Sequence, residues 1–366
     1  MTGAIVVIVG IIAMVMIHEA GHFVAAKALG MKATEFFFGF GPKLWSTRRG
    51  ETEYGVKGIP LGGYVRIVGM NPYEEVAPED EGRTYREKPF WQKSVVVLAG
   101  VASHFVVAFL IFFLIATVIG RTELTTTIDQ VQGQMESGEP SPASAAGIQP
   151  GDTILAIAGV EVDEWSELVE VIAARPAQTV EIRLERDGDI ITTRTELASL
   201  ATSSGGRRGF LGVTPQTTTE RLGPISGLGD AGATLGDATV ASAQGMWRLI
   251  TGFGDLFTAT ITGNTDDIRD ERPASPIGLV RIGAQIDDLG VTLELVALVN
   301  VFVGLFNVIP FYPLDGGHFA VALYEKIRGR PADVRKLMPV AAAVVLFMVL
   351  LGFLAIFLDI TQPFSL

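Results

Sequence analysis

Two histidines and a glutamate near the start of the chain have the spacing of a metal-dependent hydrolytic site. His18-Glu19-Ala20-Gly21-His22 forms an H-E-x-x-H motif. Positions four apart share one face of a helix, so His18 and His22 can bind one metal ion. Glu19, one position further round, can reach a metal-bound water and act as general base. Zn²⁺ suits these ligands and lowers the pKa of a bound water toward neutrality, which makes hydroxide available for attack.

A catalytic zinc site needs a third protein ligand and an open position for water. The chain has no cysteine and four histidines, so this ligand must be a histidine or a carboxylate. Asp315 is the only carboxylate between Glu294 and Glu325, and it follows two prolines that break a helix. Asp315 is therefore the natural third ligand. His318 is the rival, with a supporting or structural role as its alternative.

These residues lie in apolar segments long enough to cross a bilayer, which takes about 20 helical residues. The mean hydropathy of the chain is +0.39. We predict spans within 1–30, 93–120, 291–320 and 337–360, with 361–366 as a tail. The first has neither a basic leader region nor a small-residue cleavage site, so we expect it to be retained. Ionisable residues inside a span indicate function, although a polar face that satisfies a neighbouring helix is the alternative.

Basic residues predict how the chain is oriented in a plasma membrane. They are frequent in 31–92 and in the short loop 321–336, which we therefore place in the cytoplasm. Both termini and the central polar block are then expected outside. The net charge of −12 argues against a nucleic-acid partner, and the lipid bilayer is the expected surroundings.

Two polar regions separate the predicted spans. Residues 36–45 and 53–68 are aromatic and β-branched runs broken by glycine and proline, which indicates short strands and turns. This β-region is either an ordinary cytoplasmic hairpin or a sheet that dips toward the membrane beside the site. In the central block, 121–205 predicts a linker and a small α+β domain. Residues 206–290 are expected to be an amphipathic helical region, in which 231–261 lies on the membrane or packs on the domain.

An intramembrane H-E-x-x-H together with the N-x-x-P-x-x-P-L-D-G run that begins at Asn307 resembles the site-2 proteases, the intramembrane zinc metalloproteases of peptidase family M50. The run from Gly39 to Tyr64 is similar to the membrane-associated β-region of the bacterial regulator-of-sigma-E branch. Residues 141–155 look like the start of its PDZ domain, and the single A-G-x-x-P-G-D-x-I run is closest to actinobacterial members.

The resemblance implies a polytopic α-helical membrane protein of about four transmembrane helices, with a membrane-associated β-region and one extracytoplasmic PDZ domain. It implies cleavage of a single-span membrane protein, such as an anti-sigma factor already cut outside by a site-1 protease. The family pattern makes Glu19 the base and His18, His22 and Asp315 the zinc ligands. The resemblance also implies substrate or oxyanion contacts at Asn307, Gly62, Gly63 and Tyr64. Asn300 is a further candidate, with a hydrogen bond in the helix core as its alternative role.

One segment departs from the family pattern. Gly100-Val101-Ala102-Ser103-His104-Phe105 stands where many relatives have G-P-x-x-N-F. His104 either takes over the role of that asparagine or packs between helices. The competing function is a catalytically silent membrane scaffold that holds partners through its PDZ domain. A zinc transporter would need acidic residues or histidines in several spans, and spans two and four offer only His104 and Asp359.

Overall fold

The computed structural model describes residues 2–71, 74–135, 138–201, 206–262, 272–362 and 364. The chain divides into two compact units. The helical unit comprises Met1–Ile119 and Leu222–Leu366, and the inserted unit comprises Gly120–Arg221.

The described helices are α1 (Thr2–Ala28), α2 (Phe90–Leu114), α3 (Pro142–Ala145), α4 (Trp165–Ala173), α5 (Pro224–Thr251), α6 (Phe253–Thr262), α7 (Pro276–Gln285), α8 (Leu289–Val308), α9 (Asp315–Arg328) and α10 (Met338–Thr361). The described strands are β1 (Ala33–Arg49), β2 (Thr52–Ile67), β3 (Arg121–Val131), β4 (Thr153–Ile157), β5 (Val160–Glu161), β6 (Thr179–Arg186), β7 (Asp189–Glu196), β8 (Ala198–Ala201), β9 (Arg207–Phe210) and β10 (Val213–Glu220). A π-helix, Ile115–Ile119, continues α2, and short 3₁₀ helices lie at Pro78–Arg83 and Val334–Lys336.

Within the described ranges, four helices are long and apolar enough to cross a membrane: Thr2–Ala28, Phe90–Ile119, Leu289–Val308 and Met338–Thr361. The third predicted span differs from this pattern at its end. Helix α8 stops at Val308, and a new helix, α9, begins at Asp315. Pro310 and Pro313 lie in the connection, where each lacks the N–H that a continuous helix requires. Helix α9 also extends into 321–336, so the first half of that predicted loop is helical.

Glycines let the helices around the motif approach closely. A Cβ added at Gly21 of α1 would lie 2.5 Å from the carbonyl oxygen of Ala99 on α2. Further along α2, a Cβ at Gly304 of α8 would lie 2.8 Å from the Cβ of His104. Close packing of this kind drives helix association in lipid, where the hydrophobic effect contributes little. Helices α1, α2 and α8 therefore form the framework of the helical unit.

Helix α5 packs on this framework. Its Ala231 and Ala238 are buried in a cluster with Ala108 and Phe112 of α2 and with residues of α8. Helix α5 therefore packs on helices of its own unit, a position that neither expectation for 231–261 named. Helix α6 contacts α10, where Leu256 packs with residues of the helix end.

The β-region is one hairpin in which both strands bend sharply. Residues 33–38 of β1 pair on one side with 63–67 of β2 and on the other with 53–56. Residues 43–49 pair only with 52–57. The bends fall where Gly39, Gly41 and Gly62 have φ values of 84°, 81° and 107°, which other residues rarely adopt. The two strands therefore give four paired segments, and 63–67, called here the edge segment, lies at one edge of this sheet.

The inserted unit contains an antiparallel sheet in the order β10-β3-β4-β6-β7. Helix α4 covers its core, in which Leu168 packs with Ile154 and Ile182. A turn at Asp187-Gly188 joins β6 to β7, with positive φ at both residues. The helical prediction for 206–290 is wrong at its start, since 207–210 and 213–220 are strands. Residues 213–220 include a run of threonines that favours a strand, and Pro224 opens α5.

Candidate metal centre

Three side chains lie close together in the helical unit, two from near the start of the sequence and one from near its end. His18 and His22 lie one turn apart on α1, and Asp315 is the first residue of α9. The Nε2 atoms of the histidines are 3.2 Å apart. They lie 3.5 Å (His18) and 3.4 Å (His22) from Oδ2 of Asp315. Among the described residues, this is the only group of three or more histidine, aspartate or glutamate side chains whose ligand atoms lie within 4.8 Å of one another.

These separations fit a tetrahedral zinc ion. Zinc binds nitrogen and oxygen at about 2.0–2.1 Å, so two of its ligand atoms lie about 3.3–3.4 Å apart. The His–Asp distances are longer than an ordinary hydrogen bond, and Oδ2 of Asp315 is buried without a hydrogen-bond partner among the described residues. A buried carboxylate oxygen that is left unpaired beside two imidazole nitrogens is the expected arrangement for a metal site.

A backbone carbonyl fixes the orientation of His22. Its Nδ1 lies 2.8 Å from the oxygen of Val96, which can only accept, so Nδ1 carries the hydrogen. Nε2 then keeps its lone pair and faces Asp315, as a metal ligand requires. Gly100 makes room for the ring, because a Cβ there would lie 2.2 Å from Nε2.

The break between α8 and α9 positions Asp315. A Cβ at Gly316 would lie 2.0 Å from the oxygen of Val308, and one at Gly317 would lie 2.3 Å from the nitrogen of Tyr312. The glycine pair therefore packs the first turn of α9 directly against the preceding loop. As a carboxylate at a helix N-terminus, Asp315 is also favoured by the helix dipole.

The edge segment holds Glu19. The backbone N–H of Val65 donates to Oε2 of Glu19 at 3.0 Å. Gly63 lies against the same helix, since a Cβ there would lie 3.1 Å from Sδ of Met16 and 3.4 Å from Cγ of Glu19. The carboxylate beside the ligand group and the edge of the sheet are thus in direct contact.

An open cavity of about 870 Å³ adjoins the edge segment. Tyr64, Val65, Tyr312, His318 and Met338 are among its lining residues. The phenol of Tyr64 accepts from Nζ of Lys57 at 2.7 Å and donates to Glu35. The ring of His318 lies 4.6 Å from that of Tyr312, and His318 is outside the three-residue ligand group.

The remaining candidates lie at different distances from the ligand group. Asn300 is buried, and its Nδ2 donates to the oxygen of Val296 at 2.9 Å. Its Oδ1 faces Nδ1 of His104 at 3.4 Å, and the ring of His104 lies 4.8 Å from that of His18. Asn307 is half-buried in the last turn of α8, and its side chain has no hydrogen bond to any described residue.

Sequence reasoning missed two backbone contacts and one glycine. The N–H of Val65 and the carbonyl of Val96 act through the main chain, so residue type gives no signal for them. Gly100 lies four positions before His104 in the segment that departs from the family pattern. That spacing placed it on the same helix face as His104, and the sequence alone did not show that it faces His22.

Comparisons with known proteins identify the family to which the chain belongs. The model of Peptidase family M50 matches residues 6–351. The zinc metalloprotease Rip1 of Mycolicibacterium smegmatis is 33% identical over 100% of this chain and 98% of its own length, and Rip1 of Mycobacterium tuberculosis is 32% identical with the same coverage. The crystal structure of a PDZ domain from an SdrC-like protein of Listeria innocua aligns with 25% of this chain and 93% of that domain, at 17% identity and a TM-score of 0.21. The matches to the family and to the two full-length relatives show that the chain belongs to peptidase family M50, the site-2 protease family.

Proposed function

We propose that this zinc metalloendopeptidase cleaves single-span membrane proteins, such as anti-sigma factors, inside the bilayer. One observation carries the proposal. His18, His22 and Glu19 lie on α1, a helix apolar enough to span a membrane, Asp315 completes the ligand group from α9, and Glu19 contacts the free edge of a sheet. The related Rip1 proteins are named zinc metalloproteases.

His18, His22 and Asp315 are the proposed zinc ligands. Zinc at this position supplies Lewis-acid polarisation and lowers the pKa of a coordinated water. The chain contributes the orientation of its ligands: Val96 fixes the tautomer of His22, and the glycine pair after Asp315 fixes the carboxylate. Because each contact already restricts a ligand side chain before zinc binds, the site loses less conformational entropy on binding the metal.

Glu19 is the proposed general base. Its carboxylate takes the proton of the attacking water and delivers it to the leaving amine. The hydrogen bond from Val65 leaves Oε1 free for this transfer, since the bond occupies Oε2. A carboxylate in the middle of a membrane-spanning helix is energetically unfavourable in lipid. A catalytic role accounts for the presence of Glu19, the only carboxylate in the middle of α1.

The edge segment is the proposed binding site for an unwound substrate. A helical peptide bond is shielded by its own hydrogen bonds, and a substrate that adds as a strand exposes it. Gly62 and Gly63 lack side chains that would block this approach, and Tyr64 lines the adjoining cavity. Asn307 and Asn300 are the proposed contacts to the scissile carbonyl, with Asn300 acting beside His104.

The inserted unit is the proposed PDZ domain, outside the cell together with both termini. Support comes from the motif around Gln149-Pro150-Gly151-Asp152 and from the basic residues in the opposite loops. In this location it either binds a peptide or admits only substrates whose outer part has been shortened. Cleavage of matched substrates with long and short outer parts separates the two roles.

The test is cleavage of a single-span anti-sigma factor truncated on its outer side, co-expressed with the chain. We expect Glu19→Gln to lower cleavage by about 10²–10⁴-fold while zinc content stays near one per chain. Glu294→Gln, which removes an exposed carboxylate elsewhere in a predicted span, should cleave normally. Unchanged cleavage by Glu19→Gln would contradict the mechanism and favour the silent scaffold.

A further inference from the structure

A second cavity lies at the end of the helical unit where α8 ends and α10 begins. Its volume is about 730 Å³. The loop before α9, one face of α9 and the start of α10 form its walls. Its lining residues include Phe311, Arg330, Asp333, Lys336, Leu337 and Val340. We call it the α9–α10 cavity.

The lining combines an apolar wall with a basic rim. Phe311 and Val340 are half exposed although both are apolar, at 51% and 44%. Arg330 and Lys336 supply the positive charges of the rim. Asp333, the one acidic residue of the lining, lies 3.9 Å from Lys336, and both side chains are mostly exposed. Such a pair is weak and leaves the lysine available to a stronger anion.

The surrounding chain strengthens this positive charge. Residues 325–336 contain five basic residues and two acidic ones, which gives a net charge of +3 (5 − 2). Glu325, one of the two acids, is already paired with Lys93 of α2 at 3.0 Å. An anion at the rim therefore meets little competition from the protein's own carboxylates.

We propose that the α9–α10 cavity binds an anionic phospholipid of the cytoplasmic leaflet. The phosphate lies between Arg330 and Lys336, and an acyl chain follows Phe311, Leu337 and Val340. The inference rests on the membrane orientation in the proposed function, which puts the end of α8 and the start of α10 at the cytoplasmic surface. Basic pockets between helix ends on this side suit anionic lipid headgroups. A free phosphate would gain nothing from the apolar wall.

A lipid bound in the α9–α10 cavity can affect the metal centre through the loop before α9. Phe311, Tyr312 and Gly317 line the cavity, and a Cβ at Gly317 would lie 2.4 Å from the carbonyl carbon of Phe311. This loop and the first turn of α9 hold Asp315 in place. A lipid that fills the cavity supports this loop. We therefore expect proteolysis to be faster in vesicles that contain anionic lipid.

The test measures lipid retention by the purified, zinc-loaded full chain in native mass spectrometry. The probes are phosphatidylglycerol and phosphatidylcholine with identical acyl chains. The double variant Arg330→Ala/Lys336→Ala should lose about ten- to thirty-fold in phosphatidylglycerol retention, from the attraction of two basic residues. The matched control, Lys326→Ala/Arg328→Ala, removes the same charge from the same segment outside the cavity lining and should retain the lipid as the unaltered chain does.

Three results would overturn the proposal. Equal loss in both double variants would show a diffuse attraction without a defined site. Equal retention of the two lipids would show that the headgroup charge plays no part in binding. Displacement of phosphatidylglycerol by inorganic phosphate would identify a simple anion site. Glu19→Gln should bind the lipid normally, so a failure of the proposed catalysis and a failure of the lipid site give different results. Peptide cleavage in vesicles with and without phosphatidylglycerol measures the predicted effect on the metal centre.

Discussion

The backbone N–H of Val65 donates to Oε2 of Glu19 at 3.0 Å, across 46 residues of sequence. The donor belongs to the edge segment, where it points away from the neighbouring strand and toward α1. In a sheet, such a group is the one that an added strand would use. The contact therefore places the proposed base beside the edge at which we expect the substrate to bind.

Removing this donor should lower activity without removing zinc. Val65→Pro eliminates the N–H, and Val65→Ala keeps it with a smaller side chain. We expect at least about a ten-fold loss of cleavage in Val65→Pro, because the charged carboxylate of Glu19 loses its hydrogen bond from the strand edge. Val65→Ala should stay within a few-fold of the unaltered chain. Equal losses in the two variants would mean that the side chain matters and the N–H does not.

Metal analysis should separate Asp315 from His318. Asp315→Asn removes a proposed ligand and should weaken zinc binding by more than about a hundred-fold, beyond the effect of losing a supporting residue. His318→Ala should keep zinc within about ten-fold, since its ring lies against Tyr312 and outside the ligand group. Chelator competition on the purified chains measures both. Stronger zinc loss in His318→Ala would reverse the assignment.

Gly100→Ala should disturb the metal centre from the neighbouring helix. The added methyl would lie 2.2 Å from Nε2 of His22, so the ring must move. We expect at least about a ten-fold loss of zinc affinity, as when a ligand loses its orientation. Gly352→Ala on α10 is the matched control, because a Cβ there meets nothing within 4 Å. Normal zinc binding in Gly100→Ala would show that α1 and α2 pack differently.

The hairpin should be held to α1 by Glu51 over the whole physiological pH range. Its carboxylate accepts from Arg83 at 2.7 and 2.9 Å and from Lys27. Arg83 is the main reason that the pKa of Glu51 is lowered from 4.5 to about 2. Because the pKa falls on folding, the stabilisation is complete above about pH 4.5 and is lost as the pH drops through about 2.

Hydrogen exchange in residues 43–57 tests this attachment. Glu51→Gln should exchange roughly two- to five-fold faster at every pH from 5 to 8, the range expected for a partly exposed ion pair. The unaltered chain should show no change in protection from this group within that range. Glu79→Gln, at an exposed acid of the nearby 3₁₀ helix, serves as the control. Protection that falls between pH 8 and 5 would point to another titrating group.

Residue chemistry predicted much of the candidate site. The spacing of His18 and His22, the isolated carboxylate of Asp315 and the lengths of the apolar segments all depend on local sequence. A catalytic zinc site needs a third ligand, and few histidines or carboxylates are available for it. The sequence therefore predicts that the start of α9, which carries Asp315, lies beside α1. These features were predictable because side-chain type decides them.

Contacts made by the main chain were not predictable in the same way. Any residue except proline at position 65 would offer the same N–H, and any residue at position 96 the same carbonyl. The double pairing of 33–38 depends on bends at Gly39 and Gly62, and glycine alone indicates a turn without giving its direction. The strands at 207–220 were missed because they complete a unit that begins with β3, far back in the sequence.

Two of the three converging side chains precede the third by almost the whole chain, since 293 residues separate His22 from Asp315 (315 − 22). At a synthesis rate of about 5–20 residues per second, Asp315 leaves the ribosome roughly 15 to 60 s after His22. During that interval α1 can insert into the membrane while His18 and His22 still lack Asp315. If Asp315 is the third zinc ligand as proposed, the metal site can be completed only when nearly all of the protein has been made.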